Sequence, residues 1–174
     1  MAEPLSSGGR SAGRAIFWAW LLCGVLDITS AIVIALANKG SPIRMLQGIA
    51  GAVLGPKTFE FGYATAAMGL VMHFGVALAA AAIFYRVSRR IPVMAEQPVL
   101  GGIVWGIVWL FVMYRGVIPL MRELRPLYLA NAPKRPLPDI WPLPFFVHIV
   151  CVGLPIALSV WRFGPRPRRD RPVA

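Results

Sequence analysis

The chain of 174 residues is 57% hydrophobic and 14% charged, with a mean hydropathy of +0.66, whereas an ordinary soluble domain carries roughly 25% charged residues. That composition excludes a soluble globular protein and points to one whose solvent is lipid. A net charge of +11 would suit nucleic acid, but the basic residues gather at the ends of apolar runs and in the tail from Arg166 to Arg171, without a recognisable nucleic-acid module. Attraction to anionic lipid at the C-tail accounts for them better.

In chain order, 24 residues between Arg14 and Lys39 carry a single charge, Asp27; 25 uncharged residues lie between Glu60 and Arg86, 18 between Glu96 and Arg115, and 22 between Asp139 and Arg162. Each run can supply the about 20 apolar helical residues that cross a hydrocarbon core. The expected fold is all-α, a polytopic membrane protein with transmembrane helices at about 15–38, 62–86, 98–121 and 141–162. A disordered basic N-tail, 1–14, and a basic C-tail, 164–174, flank this four-helix transmembrane domain, 15–163. The connections are too short for a separate soluble domain.

The first run exceeds the about 7–15 residues of a secretory signal core, so it is expected to be retained as the first helix. Leu21-Leu22-Cys23 is a poor lipoprotein box, because a Leu rather than a small residue precedes the Cys. After the first span, Ser41-Pro42 reads as a helix N-cap followed by proline at the first helical position. The helix over 42–54 that it opens is about 20 Å long at about 1.5 Å per residue, too short to cross. It is expected to lie in the interface, or to dip in as a re-entrant loop that carries Gln47.

The connection before the last span contains Arg135-Pro-Leu-Pro-Asp-Ile-Trp-Pro-Leu-Pro144, whose four prolines predict an extended approach. Trp18, Trp20, Trp141, Trp161 and Tyr85 sit near span ends, at the headgroup level that such rings favour. Trp105 and Trp109 lie deeper, flank Gly106, and are expected to pack against a neighbouring helix. Ten Lys or Arg fall in the two tails and Arg86–Val93, against eight in the other two connections. This count places both termini in the cytoplasm of a bacterial cell, with the protein in its inner membrane.

The candidate site is the polar content of the spans. Asp27 lies about twelve residues from the inner end of the first helix and His73 about ten from the outer end of the second, so both fall near the midplane at about 1.5 Å per residue. His73 shares its face with Ala66, Gly69, Ala77 and Ala80, and Asp27 with Cys23, Gly24, Ser30 and Ala31. Such small-residue stripes mark helix contacts in lipid. A lone carboxylate at the bilayer centre costs roughly 3 kcal/mol on the mildest scale, so an intramembrane polar pair of Asp27 with His73 is expected, supported by Thr29 and Ser30.

A secondary polar tier, Arg115 and His148, lies about six residues inside the outer ends of the last two helices. Arg115 is expected to snorkel to the headgroups. His148 heads a face with Cys151, Val152, Pro155 and Ser159 on a helix that Gly153-Leu-Pro155 should kink. Cys23 and Cys151 both fall inside spans and are expected to be buried thiols, not a disulfide.

Gly24-Val-Leu-Asp27, Pro42-Ile-Arg-Met-Leu-Gln47, Ile49-Ala50, Leu54-Gly55, Phe59, Gly62, Thr65-Ala66, Gly69-Leu70 through His73-Phe74, and Cys151-Val-Gly-Leu-Pro155 together resemble a family of small four-span bacterial inner-membrane proteins. The resemblance runs from about Leu21 to Phe163. It implies the four-span topology and the importance of Asp27, Gln47 and His73, and it transfers no activity, since no biochemical role is assigned to that family. An apolar or amide residue is usual there near Arg115, which makes this arginine an individual feature.

Three readings of function compete. In the first, the protein is an accessory or scaffold component whose Asp27–His73 clasp fixes helix packing. In the second, it is a small proton- or ion-linked carrier, because an Asp and a His in contact at midplane can exchange protons near neutral pH. In the third, His73 and His148 ligate haem as a membrane subunit, against which stands their depth difference of roughly 6 Å. The first reading calls for no cofactor and no metal. No nucleophile–base–orienter set is present, so an enzyme is not expected. The expected partners are the bilayer and a membrane protein or a second copy of this chain, with no nucleic acid.

Overall fold

The computed structural model describes residues 10–123 and 142–165. The expected N-tail up to residue 9, most of the proline-rich connection including Trp141, and the tail Arg166–Arg171 lie outside these residues.

The first span, α1 (Ala12–Ala37), is N-capped by the Ser11 hydroxyl, which accepts from the Arg14 backbone N–H. It therefore begins ahead of the charge boundary at Arg14, because the cap and not the last arginine sets the start. Ser41 and Pro42 open α2 (Pro42–Leu54), as their order predicts. Gly55, at φ 75°, ends it in a conformation open to a residue without Cβ. A 3₁₀ turn (Pro56–Glu60) leads into α3 (Gly62–Arg90), which runs past residue 86 because no helix breaker comes before Pro92.

After the single turn of α4 (Val93–Glu96), the third span is built from α5 (Pro98–Phe111), a π-helical segment (Val112–Val117) and α6 (Ile118–Glu123). The fourth is built from α7 (Leu143–Val147), a second π segment (His148–Gly153) and α8 (Leu154–Phe163). Four helices, Ala12–Ala37, Gly62–Arg90, Pro98–Met121 and Leu143–Phe163, are long and apolar enough to cross a membrane. Val33, Leu36, Val71, Val99 and Phe146 stand exposed on them, as befits side chains that face acyl tails. The chain is a multi-pass membrane protein of four spans and one short additional helix.

Both π segments stop two residues before a proline, Val117 before Pro119 and Gly153 before Pro155. A proline lacks the N–H that the carbonyl four residues back would accept, and its ring crowds that carbonyl. The chain answers by widening the turn: the N–H of Ile118 reaches Met113 O and that of Leu154 reaches Ile149 O, both five residues back. A π bulge thus stands where Gly153-Leu-Pro155 predicts a kink.

Alanines dominate the core, with Ala15, Ala19, Ala77, Ala80, Ala81 and Ala157 packed around Phe84, Ile156, Trp105 and Trp109. Trp105 and Trp109 stack at 5.7 Å, and Phe84 meets Trp105 edge-on at 5.4 Å. α1 packs against both α3 and α8, α2 against α3, and the third span against the fourth. The last contact is backbone on backbone. A Cβ on Gly106 would lie 2.6 Å from His148 O, one on Gly102 would lie 2.8 Å from Leu154 Cα, and one on Gly153 would collide with Gly102 O. Small residues allow this close approach, which helices in lipid need for their van der Waals attraction.

Gly153→Ala should therefore force the spans apart and cost about 1–3 kcal/mol or more. Gly75→Ala, whose Cβ would meet open space, should be neutral. Thermal unfolding in detergent checks the pair, and equal losses would contradict the contact.

Candidate functional site

Side chains of α1 and α3 reach across to each other's backbone. Trp20 Nε1–H donates to Phe74 O at 2.9 Å, and the Cys23 thiol approaches Ala77 O at 3.9 Å. His73 makes a third contact of this kind, with Nε2 2.9 Å from Gly24 O. A carbonyl only accepts, so Nε2 carries the hydrogen and donates it. Trp20 is thus tied into the bundle and not free at the headgroup level. Gly24 makes the approach possible, since a Cβ there would sit 2.6 Å from the Phe74 ring.

The other imidazole nitrogen faces Asp27: Nδ1 stands 3.9 Å from Oδ2, beyond a direct hydrogen bond. The structure brings Asp27 and His73 together, but not as the buried clasp the sequence suggests. The reason is local: the bare backbone at Gly24 is nearer and takes the imidazole N–H. The Asp27 side chain keeps 28% of its surface exposed, against 11% for His73. Thr29 is exposed, and Ser30 donates to Asp27 O, not to its carboxylate, at 2.7 Å.

Asp27 opens onto a cleft of about 400 Å³ between α1, α2, the first π segment, α7 and His148. Ser30, Asn38, Tyr114 and His148 supply its polar lining, and Ile34, Met45, Leu143 and Val147 its apolar lining. Asp27 and Asn38 are eleven residues apart on one helix, about 16 Å at about 1.5 Å per residue, which is the depth of half a core about 30 Å thick. The cleft therefore runs from the α2 end of α1 towards the middle of the span.

The lining is richer in acceptors than in donors. His148 Nδ1–H donates to Pro144 O at 2.9 Å, which leaves Nε2 as an acceptor in the neutral ring; Asn38 Nδ2 donates to Ile34 O at 2.8 Å, and Ser30 is already a donor. What remains for an occupant is the Asp27 carboxylate, the His148 Nε2 lone pair, the Asn38 carbonyl oxygen with one amide hydrogen, and the Tyr114 hydroxyl. Neither Lys nor Arg is among the described lining residues. Such a surface suits a proton or a small cation and repels an anion.

Of the secondary tier, His148 lines the cleft and Arg115 does not. Tyr114 meets the His148 ring edge-on at 5.7 Å, whereas Arg115 is exposed and absent from the lining. An α-helical count carries the face of Trp105 and Trp109 on to Met113, and the extra residue of the π turn brings Tyr114 round. Tyr114 and Asn38 are the site residues that sequence reasoning passes over. The prolines two residues after each bulge are the one signal for the first. Cys23 and Cys151 are free thiols, as expected, but only Cys23 is buried and Cys151 is half-buried.

Gln47 lies outside the cleft. It is buried, and its amide donates to Gly62 O at 2.9 Å and to Thr58 O and Thr65 Oγ1 at 3.3 Å. Thr65 Oγ1 in turn donates to Thr58 O at 2.6 Å. This amide closes the connection from α2 to α3 and holds α2 across the first two turns of α3, where Gly69 lets the Leu46 carbonyl approach. Among the described residues no three His, Cys, Asp or Glu side chains group as metal ligands do, and His73 does not line the cleft that His148 lines.

No family model, curated protein or solved structure matches the chain, so the function is argued from the site alone.

Gln47→Leu removes two donors from buried acceptors and should lose about 1–3 kcal/mol. Gln47→Glu should lose more, because a carboxylate has no hydrogen to offer Gly62 O or Thr58 O. Melting temperatures in detergent test the order, and a Glu variant as stable as wild type would remove the role assigned to the amide.

Proposed function

We propose that the protein is a small carrier of the bacterial inner membrane, linked to protons or to a small cation, with both termini in the cytoplasm. The observation that carries this reading is the cleft that reaches Asp27 from the α2 end of α1 and offers acceptors to its occupant. An intramembrane carboxylate beside a water-filled cavity is the usual mark of an ion or proton path. Asp27 is the binding group, His73 lies close enough to exchange a proton with it through one water, and Tyr114 with His148 forms the wall opposite. The accessory or scaffold reading has one observation in its favour, the glycine contact that leaves the third and fourth spans no room to rock against each other. Homo-oligomer or membrane-protein contacts, and anionic lipid at the C-tail, fit either reading. The haem reading has no such support, because the two histidines do not share a cavity.

Single cysteines in a background without Cys23 and Cys151 separate these readings. Ala31→Cys, Ile34→Cys and Asn38→Cys should react with a membrane-impermeant thiol reagent about tenfold faster than lipid-facing Val33→Cys or Leu36→Cys, because only a hydrated thiol ionises. A carrier also demands that Ala31→Cys react from the inner side in inverted vesicles and that Asp27→Asn abolish cation-linked proton movement. Reaction from the outer side alone would leave the accessory role, and no contrast between the two cysteine sets would remove the cleft as an aqueous path.

Topology has its own test. Reporters fused after Arg90 and at the C-terminus should read cytoplasmic, and those near Lys57 and Lys134 periplasmic. A periplasmic C-terminus would invert the proposed orientation.

A further inference from the structure

A second groove, of about 480 Å³, runs between α1 and α8. Leu22, Leu26, Val150, Leu154 and Leu158 form its walls, and Arg162 with Phe163 closes one end. Val150 and Arg162 are twelve residues apart, about 18 Å at about 1.5 Å per residue, which matches one leaflet of a core about 30 Å thick. It is a trough one acyl chain long, open to lipid along its side.

The closed end is basic. The Arg14 and Arg162 guanidinium groups stand 5.9 and 5.5 Å from the centre of the same Phe163 ring, and Trp18 stacks on that ring at 5.9 Å. Among the described residues no carboxylate pairs with Arg162. An anion at the Arg162 guanidinium would supply that partner. The rim is fixed from three segments: Ser11 N–H donates to Phe163 O at 3.0 Å, and Arg89 Nη1 donates to Pro165 O at 3.2 Å. Arg10, Arg86 and Arg90 lie at this same end of the bundle. Guanidinium forks match phosphate oxygens in geometry as well as charge.

We infer that this groove is a binding site for one anionic phospholipid of the leaflet that faces the chain termini, its acyl chain along Leu154 and Leu158 and its phosphate at Arg162. The site is separate from the Asp27 cleft and does not depend on what that cleft carries. An apolar trough of leaflet length selects a lipid over free phosphate, and the arginines select an anionic headgroup over a zwitterionic one.

Native mass spectrometry and thermal unfolding of the full chain in mild detergent test this with dioleoyl phosphatidylglycerol, dioleoyl phosphatidylcholine and inorganic phosphate as probes. Phosphatidylglycerol should be retained, and should stabilise at about fivefold lower concentration than phosphatidylcholine, the factor expected for one basic residue near the headgroups. Inorganic phosphate alone should do neither. Arg162→Gln should erase the preference between the two lipids, Arg162→Lys should keep part of it, and Leu158→Trp, which fills the trough, should weaken retention of both. Equal response to both lipids, a preference that survives Arg162→Gln, or a shift reproduced by phosphate alone would each overturn the proposal.

Discussion

Two amide hydrogens that this chain does not have, at Pro119 and Pro155, shape the half of the bundle in which the cleft lies. In water the orphaned carbonyls would find solvent, but at membrane depth the backbone must satisfy its own polar groups. The π segments Val112–Val117 and His148–Gly153 are the local answer. Each widened turn adds a residue to the helical count and so rotates the helix on one side of it relative to the other. Tyr114, inside the first π segment, meets His148, the first residue of the second, edge-on.

The bundle is joined mainly by side chains bonded to the backbone of a neighbouring element. His73 reaches Gly24 O, Trp20 reaches Phe74 O, and Gln47 reaches Thr58 O and Gly62 O. This pattern depends on the small residues. Gly24, Gly69, Gly102, Gly106 and Gly153 bring helix backbones within reach, and a helical carbonyl has a second lone pair to offer. The consequence for function is that imidazole and amide groups are occupied in holding the fold, and Asp27 is left facing the cleft.

Charge is divided along the bundle. The cleft presents acceptors and no cation among its described lining residues, whereas the groove at the end bearing the termini closes on arginines stacked over Phe163. α1 carries one side of each, Asp27 to Asn38 for the cleft and Leu22 to Leu26 for the groove. It also packs against both α3 and α8. Movement or stabilisation at one site is therefore felt on the helix that builds the other.

The spans, the short helix and its boundaries were legible in the sequence alone, because the absence of charge over about 20 residues and the Ser-Pro helix opening are local signals that lipid and the backbone read directly. The proximity of Asp27 and His73 was legible too, since depth along a helix can be counted residue by residue. What each side chain touches was decided only by the tertiary structure. Counting places a residue at a level but assumes an unbroken 3.6-residue phase, so it passes over Tyr114 within the π turn, which meets the His148 ring. Nor can it register a backbone that a missing Cβ has exposed, and this is why His73, expected to bond the carboxylate of Asp27, gives its hydrogen to the carbonyl of Gly24 instead.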